Sequence, residues 1–133
     1  MSWFTYTTRV RYNECDPMGI AHHSVYPVWL EIGRTEALRA AGLRFRDMEA
    51  GGAFIAVSKL AIHYRVPIRY DDEIEVAIRV DRATRVKVDH AYEIRREGLI
   101  LTTATSTVAC VGSDGRPREM PEAMQQAMES GRE

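Results

Sequence analysis

Four side chains capable of acid–base, nucleophilic or metal chemistry fall within one short stretch: Cys15, Asp16, His22 and His23. The stretch reads Cys15-Asp16-Pro17-Met18-Gly19-Ile20-Ala21-His22-His23, and Pro17 and Gly19 stop regular structure from running through it. A helical pattern begins directly afterwards. The loop therefore leads into unpaired main-chain N–H groups and the positive end of a helix dipole. Donors of that kind stabilise the oxyanion formed when a carbonyl is attacked. A neighbouring carboxylate can attack the carbonyl itself or deprotonate a water that does. A thioester suits so sparse a set of groups, because a thiolate leaves without a strong general acid.

Plainer readings of the same residues stay open. Asp before Pro and Gly is an ordinary turn, and His22 or His23 can simply cap the helix or face solvent. Nothing marks the Cys15 thiol as activated. Asp16, His22 and His23 have the right types for zinc, but their spacing matches none of the stronger zinc patterns.

The elements that must position this loop follow from periodicity. Phe4, Tyr6, Val10 and Tyr12 alternate with Thr5, Thr7, Arg9 and Arg11, which predicts a half-buried strand over Phe4 to Tyr12. A helix is expected from about Ser24 to Ala41, capped by Ser24, tolerating Pro27 in its first turn and ended by Gly42 in a left-handed conformation. Gly33, Ala37, Ala40 and Ala41 keep its second half slim, so a sheet can approach it closely. Leu43 to Gly52 suggests a short helical turn.

From Phe54 onward almost everything alternates with a period of two. Phe54, Ala56, Leu60, Ile62, Tyr64 and Val66 are expected on one face of a second strand. Ile74, Val76, Ile78 and Val80 define a third, and Val86, Val88, Tyr92 and Ile94 a fourth. Leu99 to Val111 makes a fifth, and Pro121 to Glu129 a short terminal helix. Short turns between successive strands predict an antiparallel meander. Strands two and five also carry apolar groups on a second face (Ile55, Val57, Ala61; Leu99, Leu101, Ala109). A homo-oligomer, a dimer or dimer of dimers, would cover them.

Composition narrows the class. The chain has 133 residues, 45% of them hydrophobic and 28% charged, with a formal net charge of −1. One domain spanning 1–133 is expected. The charge balance gives no field for a nucleic-acid partner. No apolar run reaches membrane-spanning length, and Met1 to Tyr12 lacks the core of a signal peptide. Cys15 and Cys110 are too few for a disulfide framework, so reduced thiols and a cytoplasmic location are expected.

The segment Tyr12-Asn13-Glu14-Cys15-Asp16-Pro17-Met18-Gly19-Ile20-Ala21-His22-His23-Ser24-Val25-Tyr26, continuing through Trp29-Leu30-Glu31-Ile32-Gly33-Arg34-Thr35-Glu36, resembles the active-site loop and central helix of the 4-hydroxybenzoyl-CoA thioesterase family. It is also similar to the acyl-CoA thioesterases associated with the Tol–Pal envelope system. Tyr64-Arg65-Val66-Pro67-Ile68-Arg69-Tyr70-Asp71-Asp72-Glu73 resembles that family's strand and Pro-containing bend. The resemblance implies an α+β hot-dog fold, an antiparallel sheet of about five strands wrapped around one long helix. It implies acyl-CoA thioester hydrolysis without a separate cofactor, since coenzyme A belongs to the substrate. By position, Asp16 matches the catalytic carboxylate and the His23 N–H the donor that polarises the carbonyl. Gly19 and Ile20 match the loop the acyl chain passes, and His22 and Tyr26 join them as substrate contacts. Glu31 and Arg34 fall on the central helix near the site, or form a surface ion pair. Lys59 and Arg69 are the first choices for holding the CoA phosphates.

His23 leans to the envelope-associated branch, Cys15-Asp16-Pro17 to the hydroxybenzoyl branch, and Val25 replaces a residue polar in both. The acyl group is thus left open. So are a hydroxyacyl-CoA dehydratase using His23 with Glu31 or Glu36, and a non-catalytic acyl-CoA binder.

Overall fold

The computed structural model describes residues 2–130. Met1 and residues 131–133, included in the single domain expected from sequence, lie outside the described residues. Five strands, β1 (Phe4–Arg9), β2 (Phe54–Tyr64), β3 (Glu73–Ala83), β4 (Lys87–Arg96) and β5 (Leu99–Val111), form one antiparallel sheet in the order β1-β3-β4-β5-β2. The long helix α1 (Tyr26–Ala40) packs on its inner face against β1 and β3. Short helices α2 (Phe45–Ala50) and α3 (Glu122–Ser130) complete the α+β hot-dog arrangement.

The helix forms where expected because Tyr26, Trp29, Leu30, Gly33 and Leu38 recur on one buried face. Trp29 and Leu30 are almost fully enclosed, each contributing about 1.5–3 kcal/mol by burial. Its end is the one predicted. Gly42 adopts φ +85°, with Gly42 N–H donating to Arg39 C=O and Leu43 N–H to Leu38 C=O. Gly33 is where helix and sheet come nearest: a Cβ there would stand 3.3 Å from Val76 Cγ1.

Three expectations need correction. The first strand stops at Arg9, since its partner β3 begins at Glu73 opposite it, and Tyr12–Glu14 turns into a 3-10 helix. The strands do not form one meander. Only β3, β4 and β5 do, while β2 pairs with β5 and β1 with β3. Finally, a bulge between Val57 and Lys59 reverses the alternation of β2. The register places Ile55 and Val57 opposite the inward-facing Cys110 and Val108, on the same face as Leu60, Ile62 and Tyr64. Phe54 and Ala56 go to the other face with Ala61. The Ser58 hydroxyl donates to Thr107 C=O at the bulge, 3.2 Å. A second irregularity, between Ile94 and Arg95, accompanies the turning of Leu101 into the core, so Leu101 needs no outside cover.

The close seat of Gly33 has a measurable consequence. Gly33→Leu forces side-chain atoms into Val76, and overpacking of this kind costs about 1–3 kcal/mol. The urea midpoint should fall accordingly. An unchanged midpoint would show that helix and sheet separate at little cost.

Candidate functional site

The loop between β1 and α1 folds back on itself as two short antiparallel arms. His22 N–H donates to Glu14 C=O and Asp16 N–H to Ile20 C=O, both 2.9 Å, around a bridge between Cys15 and Ala21. The segment after β2 locks the second arm from outside. Ala21 N–H donates to Ile68 C=O at 2.7 Å and Tyr70 N–H to Gly19 C=O at 2.9 Å. Arg69 is bridged to Ile20 in the same ladder. Gly19 sits at φ +78° with open space around it, so its backbone conformation, not crowding, calls for glycine.

Asp16 anchors the tip with one carboxylate oxygen. Its Oδ1 accepts from Met18 N–H at 2.8 Å and more weakly from Ile20 N–H at 3.4 Å. Among the described residues Oδ2 has no hydrogen-bond or ion-pair partner. The turn role and a free carboxylate oxygen therefore coexist on one half-exposed side chain.

At the helix entry His22, not Ser24, is the capping side chain. Its Nδ1 accepts from Ser24 N–H at 3.2 Å and lies 2.7 Å from Ser24 Oγ. Val25 N–H donates to His22 C=O. The N–H of His23, between them, finds no acceptor among the described residues. It belongs to an exposed residue at the head of the 3-10 turn His23–Val25 that leads into α1. The His23 carbonyl is held by the Tyr64 hydroxyl, 3.0 Å away, and the His23 ring stacks on His22 at 4.2 Å.

Glu14 ties the loop to the helix. One carboxylate oxygen accepts from Arg11 N–H at 2.7 Å, the other from the Trp29 indole N–H at 3.0 Å. Burial, together with the carboxylates of Glu14 and Asp16, pushes the Cys15 thiol up, which keeps it protonated and unsuited to attack. Among the described residues no three His, Cys, Asp or Glu side chains converge as ligands for a metal, the Asp16, His22, His23 trio included.

The structure thus gathers Asp16, Gly19, Ile20, His22, His23 and Arg69. Tyr26 is buried beneath them, edge-on to Tyr64 with ring centroids 4.6 Å apart, and forms a wall behind the loop. Lys59 is exposed on β2, five residues or roughly 17 Å from Tyr64, and does not join the cluster within one protomer. The ion pair expected between Glu31 and Arg34 does not form. Glu31 is exposed, while Arg34 turns inward and donates to Tyr92 Oη at 3.0 Å, which in turn hydrogen-bonds Ser106 Oγ. Neither Glu31 nor Glu36 is hydrogen-bonded to His23, and Glu36 is paired with Arg39 at 3.5 Å.

With this geometry in place, likeness to known proteins becomes informative. The sequence matches the thioesterase-like superfamily over residues 10–128. The chain belongs to that superfamily. The Bacillus subtilis relative YneP is 34% identical over 106 residues, 79% of this chain and 77% of its own length. The acyl-CoA thioesterase YbgC of Haemophilus influenzae is 33% identical over 110 residues, covering 81% and 80% of the two chains. The crystal structure of a DHNA-CoA thioesterase from Staphylococcus aureus superposes with a TM-score of 0.93 at 27% identity, covering 98% of this chain and 91% of the other. In this thioesterase-like chain, sequence reasoning missed Glu14, Tyr64 and Tyr92 as supports. Only the inward alternation of Tyr64 and Tyr92 gave any signal of them.

Beside Tyr92 lies His90, 6% exposed. Burial, then the positive charge of Arg34, lowers its pKa to about 3, against the pull of Asp89. The unfolded histidine titrates near ~6.5, so below that pH protons favour the unfolded chain. Stability should fall by about 1.4 kcal/mol per pH unit on going below roughly pH 6.5. Urea midpoints at pH 6.5 and 5 measure it. His90→Leu should flatten the slope, and an equal slope in that variant excludes the assignment.

Proposed function

We propose that this protein is an acyl-CoA thioesterase, hydrolysing its substrate to a free acid and CoA. The observation that supports this best is that one folded-back loop and the helix entry it leads into carry two unused groups, the second oxygen of Asp16 and the N–H of His23. The carboxylate attacks the thioester carbonyl or removes a proton from the water that does, while the amide holds the oxygen that becomes negative. Collapse of the tetrahedral species breaks the C–S bond, and the CoA thiolate departs and takes up a proton. Gly19, Ile20 and His22 border the carbonyl, Tyr26 backs it, and Glu31 lies further along the helix. Arg69 is the basic residue best placed to meet CoA phosphates, with Lys59 a more distant candidate. A reducing, cytoplasmic setting suits two free thiols. Among the described residues no helix is long and apolar enough to cross a membrane.

Asp16→Asn separates chemistry from folding, because the amide oxygen can still accept from Met18 and Ile20. We expect kcat on acyl-CoA to fall by about 10²–10⁴-fold with the melting temperature unchanged. Retained activity excludes the role. In a single turnover in oxygen-18 water, label entering Asp16 marks direct attack.

The uncovered edge of the sheet supports an oligomer. On the inner face of β2, Val57 is 50%, Leu60 41% and Tyr64 51% exposed, and among the described residues the strand's outer edge is unpaired. A second copy is the proposed cover. Light scattering at micromolar concentration should give a dimer or larger, and Val57→Glu with Leu60→Glu should give a monomer. A monomeric parent protein overturns the proposal.

A further inference from the structure

Beneath the second half of α1, away from the Asp16 loop, a cavity of about 750 Å³ opens between α1, α3 and the inner face of the sheet. That volume falls within the range of small-molecule sites. Most of its wall is apolar, with Leu38, Val108, Met124 and Met128 among the lining side chains. Ser2, Arg34, Arg79, His90 and Gln126 interrupt it, and of these Arg34 and His90 stand out.

Both groups have capacity left over. Among the described residues Arg34 makes one side-chain hydrogen bond, to Tyr92 Oη. Among the described residues it has no carboxylate partner, although a guanidinium presents five N–H donors in a fixed fork. Among the described residues His90 Nδ1 is buried without a hydrogen-bond partner, a situation that costs free energy. His90 remains neutral at ordinary pH, so the cavity holds a single uncompensated positive charge from this pair. The other cation at its wall, Arg79, is already paired with Asp81 at 2.9 Å.

We infer that this cavity is a second binding site, for an apolar molecule with a single carboxylate head, such as a free fatty acid. The carboxylate lies against the Arg34 fork within reach of the His90 ring, and the tail runs among Leu38, Val108, Met124 and Met128. One carboxylate balances one guanidinium. A dianionic phosphate would leave a charge unmatched in an apolar enclosure. The site is distinct from the reaction loop, since Arg34 follows Tyr26 by eight residues, roughly 12 Å along the helix. Its occupancy does not depend on the proposed hydrolysis, although that hydrolysis releases molecules of this class.

Titrating the full-length protein with decanoate and, separately, with 1-decanol tests the site. Calorimetry gives affinities, and nitrogen-15 spectra of labelled histidine rings report on His90. We expect 1:1 binding of decanoate about tenfold or more tighter than decanol, with the His90 ring signals shifted by decanoate. Ala40→Trp, which places an indole at the exposed rim of the cavity, should weaken both ligands. Arg34→Gln should abolish the preference for the acid while decanol still binds. Equal affinity for the two ligands, unshifted His90 signals, or a preference that survives Arg34→Gln overturns the inference. Should Arg34→Gln fail to fold, the head-group comparison in the parent protein and the Ala40→Trp result decide it.

Discussion

A carboxylate and a main-chain N–H can act on one carbonyl only when the segments carrying them are held side by side. Here main-chain hydrogen bonds tie the arm Glu14–Asp16 to the arm Ile20–His22, which runs directly into His23. The arrangement is not free-standing. Ile68 and Tyr70 grip the second arm, and Glu14 fastens the first to the Trp29 indole within the core. Trp29 is itself 2% exposed, so removing its acceptor would leave a buried donor unsatisfied. The position of a surface loop is thereby referred to the buried core. The roles proposed for Asp16 and His23 need such anchoring, since small displacements at a reacting centre are expensive.

The two halves of α1 have different surroundings. Its first half is set in an apolar cluster with Ile68, Ile74, Val76, Ile94 and Leu101. Along its second half the sheet offers hydroxyls and an imidazole, and Arg34 answers them. The tight approach at Gly33 marks the division. One helix thus serves as both a wedge in a dry core and the roof of a partly polar chamber.

Much of this was legible in the sequence. The period-two runs named four of the five strands, and Gly42 and the alanines marked the end and slimness of the helix. Asp16 drew notice because a carboxylate, a Pro and a Gly precede a helical pattern. What escaped has physical reasons. The bulge at Ser58 is a one-residue insertion that leaves no mark in hydrophobicity, yet it reverses every side chain before it. The inward turn of Arg34 depends on Tyr92 and Ser106, distant in sequence, whereas Glu31 three residues away invited a local pairing. The Glu14–Trp29 bond spans a loop and a helix turn, so no periodicity predicts it. The His23 donor is main chain, and its availability reflects where neighbouring acceptors point, not which residue occupies the position.

The lower core is closed by methionines at 120, 124 and 128, all buried and spaced four apart on and just before α3. Thioethers fill irregular space well because they are flexible and polarisable. They are also the side chains that oxidants convert to polar sulfoxides. A seal built from three of them makes the attachment of the terminal helix sensitive to oxidative conditions.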